Sequence, residues 1–84
     1  MDILKGSLVY SKAGRDKGRL FMVMDKEADL VYLADGDTRR MDNPKRKKLK
    51  HIISANYMPE LDIDAISDSG IRKVLSEYSE RVGR

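Results

Sequence analysis

The chain contains no cysteine and no tryptophan, and only one histidine and one phenylalanine among its 84 residues. Without cysteine there is no disulfide framework, no thiol nucleophile and no Cys-ligated zinc or iron–sulfur centre, so the usual supports of small secreted domains are missing. The cytoplasm is the expected compartment. No apolar run approaches the roughly 20 residues that a membrane span needs. The opening residues Met1, Asp2, Ile3, Leu4 and Lys5 also lack the charged-then-apolar layout of a signal peptide. The chain is therefore expected to be neither inserted nor exported.

Catalytic signatures are missing as well. The glycines are not followed by the Gly-Lys-Ser/Thr of a P-loop, and neither G-x-S-x-G nor H-E-x-x-H occurs. His51 has no metal-binding or nucleophilic partner beside it, and hydrogen bonding at a rim or in a core is its expected role. Glu60, Asp62, Asp64 and Asp68 lack the glycine and terminal glutamate of an EF-hand loop. A chain this short buries only about 60% of the surface its unfolded form exposes, which leaves little room for a buried active site. A non-enzymatic protein with no cofactor and no metal is expected.

Charge is present in abundance and is unevenly spread. Residues 1–50 hold 13 Lys/Arg against 8 Asp/Glu, whereas residues 51–84 hold 4 against 6. From Arg39 to Lys50 seven basic residues (Arg39, Arg40, Lys45, Arg46, Lys47, Lys48 and Lys50) face Asp42 alone. A second group, Lys12, Arg15, Lys17 and Arg19, is opposed only by Asp16. Such concentration is the electrostatic footprint of a nucleic-acid binder, because each neutralised phosphate releases condensed counterions. A solvated basic face without a partner is the competing reading.

The first fifty residues read as short strands separated by turn residues at roughly ten-residue intervals. Ser7–Ser11 is the first strand, and a loop over Lys12–Gly18 follows, bounded by glycines that tolerate positive φ. Arg19–Met24 is an apolar run too short for a free-standing helix, rich in strand formers and suited to the centre of the core. Asp25–Asp29 is a polar connection and Leu30–Leu33 a third strand. Asp35-Gly36 is a hairpin signal, with Thr38–Met41 as the returning strand. Asn43-Pro44 breaks the chain again, and the basic run leads into a last strand whose apolar members are Leu49, Ile52 and Ile53. Five short strands in this span fit a small antiparallel barrel better than a flat sheet with unprotected edges.

Beyond residue 53 the chain is irregular until about residue 67. Ile71, Val74, Leu75, Tyr78 and Val82 then fall on one stripe of a helix over about residues 67–82. Ser67 or Asp68 can cap it, Ile66 can act as a staple, and Gly83 suits its end. Such a helix is marginal alone, so its stripe must dock on the barrel or on a partner, the barrel being favoured.

The segment Gly6-Ser-Leu-Val-Tyr-Ser-Lys-Ala-Gly14-Arg-Asp16-Lys17-Gly18-Arg-Leu-Phe-Met-Val23 resembles a KOW motif, in which a basic G-x-D-K-G loop joins two strands. The continuation Val31-Tyr-Leu-Ala-Asp35-Gly36, with Arg39-Arg40 and Lys47-Lys-Leu-Lys-His51-Ile52, is similar to the KOW domain of a group of ribosomal proteins and their short bacterial RNA-binding relatives. The resemblance covers about residues 3–53. It implies an SH3-like barrel over residues 1–53, with residues 54–84 outside it. It also implies a ribosome-associated ribonucleoprotein role in translation, with RNA, ribosomal RNA above all, and ribosomal proteins as partners, and no membrane. A monomer is favoured, and the oligomeric state stays open.

By the same resemblance Gly14 and Gly18 set the loop geometry, while Lys12, Arg15, Lys17 and Arg19 contact phosphate. Asp16 is expected to order its own loop through a side-chain-to-backbone bond. Arg39 and Arg40, on one strand, should point different ways, one to a partner and one along the rim. Lys45, Arg46, Lys47, Lys48 and Lys50 are expected on RNA, their lysine bias suiting backbone shape over sequence reading. Replacing Lys17, Arg40 or Lys47 should weaken binding additively. Tyr10, Phe21 and Tyr32 are expected in the core, and Met22 and Met24 as gap fillers. Tyr57 can stack on a base or pack on the helix. The alternative function is a KOW-type protein-interaction module binding a transcription or translation factor.

Overall fold

The computed structural model describes residues 3–82; Gly83, the expected helix end, lies outside the described residues. Five strands form one antiparallel sheet: β1 (Leu8–Ser11), β2 (Leu20–Glu27), β3 (Leu30–Ala34), β4 (Lys45–Lys48) and β5 (Ile52–Ser54), in the order β4-β3-β2-β1-β5. A single helix, α1 (Asp68–Val82), follows.

The apolar run at the centre of the sequence is continuous because the middle strands are buried on both faces. Alternation along each strand sends Val9, Phe21, Val23, Val31 and Leu33, joined by Ile52, to the inner face. Leu8, Met22 and Ala34 go to the outer face, where Ile71, Leu75 and Tyr78 of α1 cover them. A helix of 15 residues is marginal in water, and burying a side chain such as Ile71 stabilises by about 1.5–3 kcal/mol. Docking on the sheet therefore supplies what the isolated helix lacks.

The sheet is strongly curved. Its two edges, β4 and β5, are joined by a single 3₁₀ turn, Leu49–His51. A flat sheet would hold those edges about 19 Å apart, whereas three 3₁₀ residues advance about 6 Å. Two backbone bonds seat the turn: Lys12 N–H donates to the His51 carbonyl at 2.8 Å, and Leu49 N–H donates to that of Asp29 at 2.8 Å.

Several elements differ from the sequence reading. The polar stretch 25–29 is not a connection, since β2 continues to Glu27 with a register shift between Val23 and Asp25 and turns at Ala28-Asp29. Thr38–Met41 is not a strand; the partner of β3 is β4, with Leu33 opposite Lys45 and Leu30 opposite Lys48. The basic run is thus itself a strand, and Leu49 belongs to the 3₁₀ turn. Asp35-Gly36 opens a long loop instead of a tight hairpin because the Asp35 carboxylate gathers the donors that follow it.

Helix α1 starts as the spacing predicts. Ser67 is the cap, its Oγ accepting from Gly70 N–H at 3.1 Å, which leaves Asp68 for another task. Among the described residues no helix is long and apolar enough to cross a membrane.

Candidate nucleic-acid interface

Two loops and one strand build the site. In the first loop, Gly14 and Gly18 stand at φ +83° and +87°, and Gly18 N–H donates back to the Ser11 carbonyl at 2.8 Å. This fold turns Asp16 inward, where it is 8% exposed. Asp16 orders the loop through side chains, in place of the expected backbone bond. Its Oδ1 accepts from the Ser11 hydroxyl at 2.7 Å and from Lys47 Nζ at 2.8 Å. Its Oδ2 pairs with Lys45 Nζ at 3.1 Å. Burial raises the carboxyl's pKa, but the bonds from Lys47 and Ser11 and the Lys45 ammonium outweigh it and hold Asp16 well below the usual carboxylate range.

Lys47 is therefore an internal residue. Its ammonium has three donors, and Asp16 Oδ1, Ser11 Oγ and the Ala13 carbonyl take them at 2.8, 2.8 and 2.9 Å. The reason is the pleat: Lys45 and Lys47 lie opposite Leu33 and Val31, on the face that points inward. The expectation that Lys47 contacts RNA does not fit this placement.

The second loop, residues 35–44, is organised by Asp35. Its Oδ1 accepts from the N–H groups of Asp37 (2.9 Å) and Arg39 (2.8 Å), and its Oδ2 accepts from the Thr38 hydroxyl (2.7 Å) and Arg19 (3.0 Å). Burial again opposes ionisation, and these donors prevail, so Asp35 stays below its ordinary pKa. The result is a fixed backbone from which Arg39 projects.

Between the two loops runs an open groove of about 350 Å³ lined by Arg15, Asp16, Arg19, Phe21, Thr38, Arg39 and Lys45. Four cations from three separate segments meet there. Arg19 is paired with Asp35 and Lys45 with Asp16, while Arg15 and Arg39 have no ion-pair partner among the described residues.

The other basic residues are placed elsewhere. Lys12, Lys17 and Lys50 are exposed, and the Lys12–His51 backbone bond brings Lys12 next to the 3₁₀ turn that carries Lys50. Arg46 and Lys48 are exposed on the opposite face of β4, with Arg46 across from Tyr32. Arg40 lies in a loop, not on a strand, and its Nε reaches Asp68 Oδ2 at 3.5 Å. Arg39 and Arg40 do diverge, but by loop geometry and not by strand alternation.

Of the aromatic residues, Phe21 is buried, Tyr10 is half-buried and Tyr32 stands outside the core, its hydroxyl donating to Glu27 at 3.0 Å. That bond, more than any burial, pushes the Tyr32 pKa up. Tyr57 packs on the helix, 5.1 Å from Tyr78 by ring centroids, with the Arg81 guanidinium 5.4 Å from its ring. Among the described residues no group of three or more metal-ligating side chains converges.

The sequence reading singled out neither Asp35 nor Asp68 as a partner of the basic residues. An Asp before Gly at a chain reversal, a residue type that bonds the backbone two positions on, was the available signal for Asp35; Asp68 offered none, since its partners lie in a distant loop. No protein-family model and no curated protein sequence matches this chain.

Proposed function

We propose that this protein is a non-enzymatic RNA-binding module, its curved sheet an SH3-like barrel of the KOW type, acting with ribosomal RNA in the cytoplasm. The observation that carries the reading is the groove where Arg15, Arg19, Arg39 and Lys45 converge. Arginine suits such a place because its planar fork meets phosphate in bidentate fashion. Neutralisation by Asp16 and Asp35 leaves two of the four arms uncommitted, and Lys12, Lys17 and Lys50 are further exposed cations outside the groove.

Fluorescence anisotropy with a labelled stem-loop RNA over a range of salt tests the reading. Log affinity should fall with log salt by about 0.7–0.9 per phosphate contacted. Arg15→Ala and Arg39→Ala should each reduce that slope by about one contact, with the fold intact. Absence of binding at low salt, or a slope indifferent to both substitutions, overturns it. Sedimentation of the tagged protein in cell lysate tests the ribosomal part: comigration with a ribosomal subunit at moderate salt is expected. Capture of a single protein after nuclease treatment, without RNA binding, would favour a protein-interaction module instead.

A further inference from the structure

Helix α1 does more than cover the sheet. Its first turns grip the loop that carries Arg39 at three points. Asp68 Oδ1 accepts from Met41 N–H at 2.8 Å, and its Oδ2 meets Arg40 at 3.5 Å. One turn on, the Arg72 guanidinium donates to the Gly36 carbonyl. Between these contacts the two backbones approach so closely that a Cβ on Gly36 would lie 2.2 Å from the Asp68 carbonyl oxygen. The loop thus has two restraints. Asp35 fixes its internal shape, and the helix fixes where that shape sits relative to the sheet.

We propose that Asp68 and Arg72 are positioning residues for nucleic-acid binding, holding the 35–41 loop so that Arg39 faces the groove opposite Arg15. This rests on the groove reading given above. Neither residue lines the groove, so their effect on binding would pass through Arg39.

The test is a double-mutant cycle in RNA binding, with the labelled stem-loop RNA as probe and thermal melts confirming that each variant is folded. Gly36→Ala forces loop and helix apart and also strains the loop backbone at φ +78°, without changing charge, so Arg72→Met carries the test of the helix contact itself. Arg72→Met removes the bond to the Gly36 carbonyl, and Lys73→Met, an exposed site on the same helix, controls for the lost charge. Gly36→Ala and Arg72→Met should each weaken binding by about threefold to tenfold and lower the salt slope by about one contact. In the Arg39→Ala background Gly36→Ala should add nothing, and Arg72→Met no more than Lys73→Met does. A purely structural helix would lower the melting temperature yet leave these losses equal in both backgrounds, and that result overturns the proposal. If Gly36→Ala does not fold, the Arg72→Met cycle decides alone. If wild type and Arg39→Ala bind alike, there is no Arg39 contact to position and the proposal fails; if Arg15→Ala also binds alike, the groove reading fails with it.

Discussion

Lys47 Nζ and Asp16 Oδ1, thirty-one positions apart in the chain, meet at 2.8 Å beneath the first loop. The pair joins the β1–β2 connection to the edge strand β4, and it takes the most deeply placed lysine of the basic run out of the binding surface. With a side chain only 9% exposed, Lys47 behaves as a core residue that happens to be charged. Removing Lys47 leaves the Asp16 carboxylate to Lys45 and Ser11 alone, so the cost lies below the roughly 3 kcal/mol of a fully broken buried pair.

Lys47→Met is therefore expected to lower the melting temperature, by up to about 15 °C for a domain of this size. Asp16→Asn should cost less in the Lys47→Met background than in the wild type, because one of the two lysines that Asp16 serves is already gone. A melting temperature unchanged by Lys47→Met would show that the pair contributes little. The salt slope of RNA binding, measured below the variant's melting range, should not change.

Stability should depend on pH through Asp16 and Asp35. Both carboxyls are held below their ordinary value in the folded chain, so the unfolded state takes up protons first as the pH falls. Their contribution is complete above the unfolded carboxylate range of about 4 and is lost as the pH falls toward the folded values. Urea midpoints measured from neutral to strongly acid pH should stay level and then decline below about pH 4. Asp16→Asn should reduce stability at neutral pH and flatten that decline. A wild-type midpoint constant down to pH 2 would contradict the assignment.

Asp35 should govern the order of the second loop. Asp35→Ala deprives two backbone N–H groups, the Thr38 hydroxyl and Arg19 of their acceptor, and a loss of about 2–3 kcal/mol is expected. Hydrogen exchange reads it locally: the amides of Asp37 and Arg39 should lose protection while those of β1 and β2 keep theirs. Equal loss throughout would mean that the loop and the sheet unfold as one unit.

How far the sequence is legible depends on where each residue's partner lies. The first half of β2 declares itself because two buried faces demand an unbroken apolar run, while its exposed end, Asp25–Glu27, does not; α1 declares itself because Ile71, Leu75 and Tyr78 recur at helical spacing. The strand β4 does not, since Lys-Arg-Lys-Lys carries no apolar signal. Its inward positions are lysines whose counter-charge, Asp16, sits in a loop two strands earlier. Asp35-Gly36 misleads for a related reason, its carboxylate binding donors that a two-residue hairpin would not offer. The basic residues themselves were visible as a cluster. Which of them are neutralised was not, because Asp16, Asp35 and Asp68 reach Lys47, Arg19 and Arg40 only after folding.

The turn at Ala28 offers a test of backbone strain independent of the site. Ala28 stands at φ +56° in the two-residue connection between β2 and β3, a region where a side chain costs about 1–2 kcal/mol. Glycine removes that cost but gains freedom in the unfolded chain, which offsets about 0.4–1 kcal/mol of the benefit. Ala28→Gly should therefore stabilise the protein by about 0.5–1 kcal/mol, seen as a higher urea midpoint at unchanged slope. Ala28 is exposed and lines no part of the groove, so RNA affinity should stay the same. A destabilised variant would show that the turn relaxes its strain in solution, and that Ala28 does not hold the left-handed conformation.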